Sequence, residues 1–357
     1  MKVAIIGAGV SGLSCAYALE RYGITPVIFE KRSQIGEPSG FSGLWSRLVI
    51  RVNRDPIRYL KTKYDFDIKP LSRLRETIMI SPNKRTVCRG NLGYTFRRGV
   101  EEHSLEKQIA AKIKTPVLFN SYIEIEDIRN EFDQVVVSTA SPSIARHLGI
   151  WTDTFIAQAR IAMVLGDFKL DSATVWFNEK YANKAFCYLI PNSTKEATLA
   201  LLINNSRTTE LDHYWSEFVS KEKINYTIIQ ESDTEHFCGF VQPLKYENIS
   251  FIGNAAGFTD DLIGIGAFSA IESGILAAQA IAKDIDYNKL VKPIYDDIVK
   301  LHHFRMAMNT FDNSGFDKLI AFVGTPGIKQ FIYNNPLLKL RYGMPFVRFY
   351  NKLKKRD

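Results

Sequence analysis

A glycine-rich turn between two apolar segments at the start of the chain constrains its fold more than any other feature. Residues 2–6 are apolar after Lys2 and typical of a short strand, and residues 7–12 follow with the pattern Gly-x-Gly-x-x-Gly. Residues 13–22 have helical periodicity, and residues 24–29 form a second apolar segment that ends at Glu30. This succession is the βαβ fingerprint of dinucleotide-binding proteins. The sequence therefore predicts a dinucleotide site at this turn.

Each position of the turn has a physical role in such a site. Gly7 permits a tight turn out of the strand, Gly9 lets backbone amides approach a pyrophosphate, and Gly12 lets the helix and strand pack closely. The N-terminus of the helix supplies partial positive charge for the diphosphate. Glu30 is placed to accept hydrogen bonds from both ribose hydroxyls of the adenosine half. The cofactor-binding residues predicted here are Gly7, Gly9, Ser11, Gly12, Glu30 and Lys31.

A second small-residue turn lies roughly 240 residues further along the chain. Residues 250–258 are typical of a strand that leaves into a turn, and a long helix is predicted from near Gly264 to about residue 285. The first fingerprint alone does not separate NAD from FAD. Two sites of close backbone approach suit an elongated cofactor such as FAD. The residues predicted to contact it here are Gly253, Asn254, Gly264, Gly266 and Ala267.

Together the two turns resemble the flavoprotein family that includes p-hydroxybenzoate hydroxylase and, more closely, the geranylgeranyl reductases. That family carries Gly-Asp-Ala-Ala-Gly before a Pro-x-x-Gly-x-Gly helix start, and this chain has Gly-Asn-Ala-Ala-Gly at residues 253–257 and Leu-Ile-Gly-Ile-Gly at residues 262–266. The resemblance implies noncovalent FAD, with the flavin ring against the helix that starts at Gly264. It also implies that an arginine of the segment 94–99, either Arg97 or Arg98, meets the cofactor, and we include Arg98 among the predicted cofactor-binding residues.

The chain departs from the family at two places. Asn254 replaces the family's aspartate, which keeps a hydrogen-bonding side chain but removes its negative charge. Residues 36–44 correspond to a Pro-x-x-Cys-x-x-Gly segment that faces the flavin in geranylgeranyl reductases, and they contain Phe41 and Ser42 but no cysteine. Cysteine chemistry is therefore not expected in this segment.

Alternating apolar residues between positions 151 and 239 predict an antiparallel sheet. With a period of two, Phe186, Tyr188 and Ile190 share one face. They stand where geranylgeranyl reductases have an aromatic-x-Trp-x-Phe-Pro strand, so we expect a hydrophobic wall over the flavin. The predicted substrate pocket contains Phe41, Ser42, Phe186, Tyr188 and Ile190.

The predicted fold class is α/β, with three parts. A Rossmann-like FAD-binding domain is made of residues 1–70, 90–150 and 240–290. An inserted, substrate-facing antiparallel β-sheet domain is made of residues 71–89 and 151–239. Residues 291–357 form a helical, basic C-terminal region.

Charge and cysteine usage restrict the partners. The net charge is +8, and residues 337–357 carry +6 of it, with seven basic residues against one aspartate. A terminal cluster favours peripheral contact with an anionic membrane surface over nucleic-acid binding, so we predict no nucleic-acid partner. The four cysteines have no paired or metal-ligand spacing. We therefore expect no metal site and a cytoplasmic protein, in contact with the inner membrane face through its C-terminal segment.

The resemblance implies an enzyme, an FAD-dependent oxidoreductase that acts on a small apolar, isoprenoid-type substrate by hydride transfer through flavin N5. The electron donor is left open between NAD(P)H and a ferredoxin-like protein. His213, His236, His302 and His303 show no metal spacing and no recurring acid partner, so no catalytic residue is assigned.

Several alternatives stay open. Residues 133–142 form an apolar strand ending in Ser-Thr-Ala-Ser-Pro, which is more similar to amine oxidase-like flavoproteins than to the Asp-Gly motif of flavin hydroxylases. A flavin monooxygenase or halogenase, an amine oxidase-like dehydrogenase and a non-catalytic flavoprotein are the competing functions.

Overall fold

A computed structural model describes residues 1–50, 52–204 and 207–327. Two β-sheets dominate this part of the chain. The strands are β1 (Val3–Ile6), β2 (Val27–Phe29), β3 (Phe41–Ser46), β4 (Ser72–Ser81), β5 (Lys84–Arg98), β6 (Val117–Leu118), β7 (Gln134–Val137), β8 (Trp151–Leu165), β9 (Ser172–Trp176), β10 (Cys187–Pro191), β11 (Glu196–Asn204), β12 (Thr227–Val241), β13 (Lys245–Tyr246) and β14 (Ile249–Phe251). The helices are α1 (Val10–Arg21), α2 (Pro56–Tyr64), α3 (Leu105–Ala110), α4 (Ile125–Ile128), α5 (Ser143–His147), α6 (Glu179–Ala182), α7 (Leu211–Lys221), α8 (Ala267–Lys283), α9 (Tyr287–Met308) and α10 (Asn313–Gly324).

The first sheet has the strand order β13-β14-β7-β1-β2-β6. Its pairs are parallel except for β13 with β14. The central strands β1 and β7 are apolar and almost fully buried, as expected for parallel strands covered on both faces. This sheet confirms the predicted Rossmann-like α/β architecture.

Helices α1 and α8 pack against each other through small residues. A Cβ added at Gly274 would lie 2.3 Å from the carbonyl oxygen of Ser11, so the two backbones approach more closely than any larger residue permits. The Ser11 hydroxyl also hydrogen-bonds to the Ser138 hydroxyl after β7 at 2.7 Å. These contacts fix the N-terminus of α1 beside the carboxyl ends of β1 and β7.

The second sheet has the order β12-β8-β11-β10-β9-β4-β5-β3 and is antiparallel except for β4 with β9. One of its faces is apolar and packs on α7, where Leu199 and Leu201 of β11 join a core cluster with Trp215 and Phe218. Because successive side chains of a strand point to opposite faces, the alternate residues of β10 and β11 face away from α7.

Cross-strand pairing carries that other face across the sheet. Tyr188 pairs with Ala200, Ala200 with Ile161, and Ile161 with Ser232. Directly paired residues of antiparallel strands project from the same face. A single surface therefore runs from β10 to the edge strand β12.

Helix α10 docks on the β4–β5 hairpin. The carboxylate of Asp317 accepts hydrogen bonds from the Ser81 hydroxyl at 2.5 Å and from the backbone N–H of Asn83 at 3.0 Å. The Thr86 hydroxyl donates to the Ile320 carbonyl oxygen at 2.9 Å. The C-terminal part of the described chain is thus joined to the second sheet.

The structure differs from the predicted segment boundaries in two respects. Strand β5 crosses the boundary placed at residue 90, because the β4–β5 hairpin continues as one long strand until it pairs with β3. The second sheet therefore includes residues assigned to the FAD-binding part. Helix α9 begins at Tyr287, inside that predicted part. The basic cluster at 337–357 lies outside the described residues, and no helix within them is both long enough and apolar enough to span a membrane.

Candidate functional site

A cavity of about 1010 Å³ lies between the two sheets. The glycine-rich turn after β1, the start of α8 and the apolar face of the second sheet all contribute to its wall. The volume is at the upper end of the usual range for small-molecule sites. Both predicted turns and the predicted substrate wall therefore meet at one place.

The first turn exposes backbone to this cavity. Gly7 has a φ of +105°, which favours glycine, and a Cβ there would lie 2.8 Å from the Ser138 carbonyl oxygen. A Cβ at Gly12 would lie 2.1 Å from the Gly7 carbonyl oxygen, whereas one at Gly9 would meet no protein atom within 4 Å. Gly9 therefore borders open space at the start of α1, while Gly12 serves the packing of α1 on β1.

Glu30 lies at the end of β2 and is mostly buried. Its carboxylate accepts hydrogen bonds from the backbone N–H of Ala8 at 2.8 Å and of Arg32 at 3.0 Å. These two bonds hold the acid beside the glycine-rich turn. Lys31 lines the same part of the cavity.

The second turn reaches the cavity from the other side. The Thr259 hydroxyl donates to the Asn254 side-chain oxygen at 2.6 Å, and both residues line the cavity. Gly264 has a φ of +75°, and Gly266 precedes the first turn of α8. Asp260 holds this loop by accepting hydrogen bonds from the backbone N–H groups of residues 262, 263 and 265. Because the carboxyl is fully buried, its pKa is raised to about 7.

Two predicted cofactor residues, Gly12 and Gly253, are not part of the cavity lining. A Cβ at Gly253 would lie 2.5 Å from the Ser11 hydroxyl, so this glycine serves the contact between the two turns. The other ten predicted positions line the cavity, namely Gly7, Gly9, Ser11, Glu30, Lys31, Arg98, Asn254, Gly264, Gly266 and Ala267.

Arg98 has a protein partner as well as a place at the cavity. Its Nε donates to the Glu106 carboxylate at 2.6 Å, and its guanidinium lies 5.5 Å from the centre of the Phe41 ring. The ion pair with Glu106 fixes the side chain and offsets part of its charge.

All five predicted substrate-pocket residues line the cavity. Tyr188 and Ile190 project from the cavity face of β10, and Phe186, directly before this strand, lines the same wall. The Ser42 hydroxyl, by contrast, is buried and donates to the Asn192 side-chain oxygen at 2.6 Å, so it ties β3 to the residue that follows β10. Burial raises the pKa of Tyr188 to about 12, so its hydroxyl stays neutral at ordinary pH.

Helices α9 and α10 supply part of the apolar wall, which the sequence analysis did not anticipate. The additional lining residues are Phe304, Met308, Leu319, Ile320 and Val323. Phe304 and Met308 are four residues apart, as are Leu319 and Val323, so each pair lies on one helical face. This spacing is visible in the sequence and predicts that each pair shares a helical face, but it does not identify what that face contacts.

Among the four histidines considered in the sequence analysis, His302 does have an acid partner, contrary to expectation. His302 of α9 hydrogen-bonds through Nδ1 to Asp261 Oδ2 at 2.5 Å. The two residues are 41 positions apart, so no local spacing reveals the pair. The four cysteines are all buried and form no disulfide with one another.

The arrangement fits an extended dinucleotide. Gly9 leaves open space next to backbone N–H groups at the start of α1, and Glu30 lies beside it. The start of α8, at the second turn, borders the same cavity. Backbone donors at two helix starts match the phosphate and flavin ends of FAD.

Comparison with known proteins agrees with this geometry. Residues 2–105 match the family model described as FAD-dependent oxidoreductase. The chain is an FAD-dependent oxidoreductase. FAD is accordingly the cofactor of this oxidoreductase, as predicted.

Relatives extend the similarity beyond the matched segment. Digeranylgeranylglycerophospholipid reductase 3 of Methanosphaera stadtmanae is 23% identical to this oxidoreductase over 332 residues, which cover 85% of this chain and 83% of the relative. Digeranylgeranylglycerophospholipid reductase of Methanosarcina acetivorans is 21% identical over 311 residues, which cover 78% of this chain and 74% of the relative.

Solved structures share the fold. A geranylgeranyl bacteriochlorophyll reductase-like protein from Thermoplasma acidophilum superposes with a TM-score of 0.76 at 16% identity, covering 98% of each chain. The flavin-dependent brominase Bmp2 gives a TM-score of 0.67 at 16% identity, with full coverage of both chains. At these identities the two structures establish the architecture of this oxidoreductase.

Proposed function

We propose that this oxidoreductase reduces carbon–carbon double bonds in an isoprenoid chain that lies along the apolar wall of the cavity. The observation that carries the proposal is the continuity of this wall with both cofactor turns. An apolar chain on the face of β10 would lie in the same cavity as the start of α8. The names and coverage of the two digeranylgeranylglycerophospholipid reductases support the same substrate class.

Different residues of the cavity would bind the cofactor and the substrate. Glu30 and the backbone at Gly9 would hold the adenosine and diphosphate part, and the start of α8 would hold the flavin end. The flavin, when bound, supplies hydride transfer. Phe186, Ile190 and the apolar side chains of α9 and α10 would bind the isoprenoid and exclude water from it.

The test begins with the purified protein and its bound flavin. Its absorption spectrum and released cofactor should identify FAD. After anaerobic chemical reduction, a geranylgeranyl lipid should reoxidise the flavin and gain two hydrogen atoms per reduced bond, measured by mass spectrometry. The fully saturated lipid is the matched control and should leave the flavin reduced.

Two outcomes would overturn the proposal. One is a protein that binds FAD but is not reoxidised by any isoprenoid alkene. The other is oxygen consumption stimulated by an aromatic substrate, with hydroxylated or, when halide is added, halogenated product.

A separate measurement identifies the class of electron donor. NAD(P)H and a reduced ferredoxin-like protein are supplied separately to the oxidised protein, and the donor that reduces the flavin faster is the physiological class.

We also propose that the basic C-terminal segment contacts an anionic membrane. Its net charge of +6 over residues 337–357 supports this, since each basic residue near such a surface contributes up to about 1 kcal/mol. Binding to vesicles containing anionic lipid should weaken with salt and on deletion after Asn335. A full-length variant with its terminal lysines changed to glutamine should lose the same binding, and unchanged binding in both variants would reject the proposal.

A further inference from the structure

A cluster of buried and partly buried titratable side chains lies at one edge of the cavity, and none of them has been given a role in the reaction so far. It forms where β12, the loop after β14 and helix α9 meet. Its members are His236 and Cys238 of β12, Asp260 and Asp261 of the loop, and His302 and Arg305 of α9.

Only one of the two carboxylate oxygens of Asp261 has a hydrogen-bond partner among the described residues. Its Oδ2 is hydrogen-bonded to Nδ1 of His302 at 2.5 Å, and its side chain is 6% exposed. Its Oδ1 is buried with no hydrogen-bond partner among the described residues. His302 is 17% exposed and connects this carboxylate with the protein surface. The carboxylate is therefore fixed while half of its bonding capacity remains unused.

His236 lies at the inner side of the cluster and lines the cavity. Its Nε2 is buried and has no hydrogen-bond partner within the described parts of the chain. It projects from the face that carries Tyr188. Ser232 of β12 is on that face through its pairing with Ile161, and His236 lies four residues further along the same strand with no register shift between them, so the two side chains share a face. An unpartnered buried ring nitrogen is costly, which suggests that it has a partner during function.

The surrounding charges come from each element packed on this edge. Burial lowers the pKa of His236, and Asp261 opposes that effect by stabilising the charged ring. Arg305 is a buried cation whose pKa is lowered to about 10, and it lies near both Asp260 and Asp261. Burial raises the pKa of the Cys238 thiol, so it stays neutral. Among these groups, Asp261 is the one that acts electrostatically on His236.

We propose that His236 donates the proton that completes reduction of the substrate double bond, and that Asp261, fixed by His302, is the positioning carboxylate that stabilises the protonated ring. This inference rests on the proposed function and deepens it. It assigns an acid to a cavity whose remaining wall is mostly apolar.

The step balances in atoms and charge. Reduction of a double bond adds hydride to one carbon, the chemistry that the proposed function assigns to the bound flavin. A new C–H bond forms at the other carbon with the proton of the His236 imidazolium, whose N–H bond breaks. The neutral imidazole then recovers a proton from water. General acids of this kind contribute on the order of 10²- to 10⁴-fold in rate.

The first experiment measures the charge state of His236 without using catalysis. In FAD-loaded protein labelled with ¹⁵N-histidine, the His236 resonance is assigned with the His236→Gln variant and titrated by NMR. Asp261→Asn should lower the pKa of His236, and His302→Gln should alter it in the same direction. Asp261→Glu should restore part of the shift. His213→Gln, an exposed change on α7, should leave it unchanged.

The second experiment measures single-turnover reduction of the isoprenoid. We expect His236→Gln to slow it by about a hundredfold or more with the FAD content preserved. In the wild-type protein the rate should fall as the pH rises through the pKa measured for His236, because the imidazolium is the donor. Asp261→Asn should move this profile to lower pH. The pH dependence of the wild-type rate tests whether His236 donates the proton without relying on a variant at that position.

The outcomes separate the two proposals. Suppose that the wild-type protein reduces the isoprenoid. If the single-turnover rate of His236→Gln is then within twofold of the wild-type rate, or if the wild-type rate does not change with pH around the pKa measured for His236, the proton-donor assignment is overturned and the proposed function stands. An unchanged pKa of His236 in Asp261→Asn overturns the positioning role. If the wild-type protein reduces no isoprenoid, the proposed function is overturned and the proton donor falls with it.

Discussion

The two ends of the cavity are built in opposite ways. At the proposed cofactor end, the backbone of two glycine-containing turns forms much of the wall, together with side chains such as those of Glu30 and Asn254, and each turn comes from one short segment of the chain. At the substrate end, the wall is side chain, and it joins residues from β3 near the start of the chain to α10 near the end of its described part. Substitutions at the first end should therefore act by adding atoms where backbone or cofactor needs the space. Substitutions at the second end should act by changing the polarity or shape of the apolar wall.

The largest expected effect is at Gly12. A Cβ there would lie 2.1 Å from a backbone oxygen that cannot move without displacing β1, so Gly12→Ala should destabilise the protein with or without FAD. We expect a loss of about 3 kcal/mol in the free energy of unfolding. Denaturant unfolding of the apoprotein measures it, and a loss smaller than that of Gly9→Ala would contradict the packing role.

Gly9→Ala should separate cofactor binding from folding. Gly9 has a φ of −80°, which alanine adopts without strain, and its added Cβ meets no protein atom within 4 Å. The apoprotein should keep its stability, while the methyl group should take space from the diphosphate and weaken FAD binding by roughly 10- to 100-fold, or about 1.4 to 2.7 kcal/mol. Fluorescence titration with FAD gives the affinity, and unaltered binding would refute this contact.

At the substrate end, Leu319→Gln should reduce kcat/KM for a long isoprenoid by about tenfold. It places an amide in the apolar wall, where the amide loses water without gaining a partner. FAD affinity should not change, since the cofactor end is untouched. Lys318→Gln, on the exposed side of α10, is the matched control. Equal effects of the two variants would show that the helix face does not meet the substrate.

The smallest effect is expected for Tyr188→Phe. Because burial holds the pKa of this phenol near 12, its hydroxyl keeps its proton across the range in which enzymes work. Removing it should change turnover by less than about twofold and leave the pH profile between pH 6 and 9 as it was. A profile that changes on this substitution would assign acid–base chemistry to Tyr188 and weaken the assignment to His236.

The cofactor end was largely predictable because its signals are local. The spacing of Gly7, Gly9 and Gly12, followed by Glu30, encodes a turn, a helix start and a strand end within one continuous stretch. The fold class and the FAD cofactor followed from this stretch and its partner near Gly264. The exceptions were Gly12, which packs α1 on β1 and does not line the cavity, and Gly253, whose close contact with Ser11 depends on a helix far away in sequence.

The substrate end was predictable only in part because strand register decides it. Period two places Phe186, Tyr188 and Ile190 on one face, but nothing in their own strand says whether that face meets solvent, a helix or a cavity. The contribution of α9 and α10 depends on where α10 docks, through Asp317 on the β4–β5 hairpin. The His302–Asp261 pair was missed for the same reason, since only tertiary packing brings α9 to the loop after β14.

The docking of α10 also sets an order of events during synthesis. The glycine-rich turn leaves the ribosome early, but the wall opposite it is closed by a helix translated after residue 312. At roughly 5 to 20 residues per second, the β4–β5 hairpin waits on the order of 10 to 50 s for the helix that covers it. During that interval an apolar sheet face is exposed on the nascent chain. Slow translation should therefore lengthen the time for which this face needs protection from aggregation.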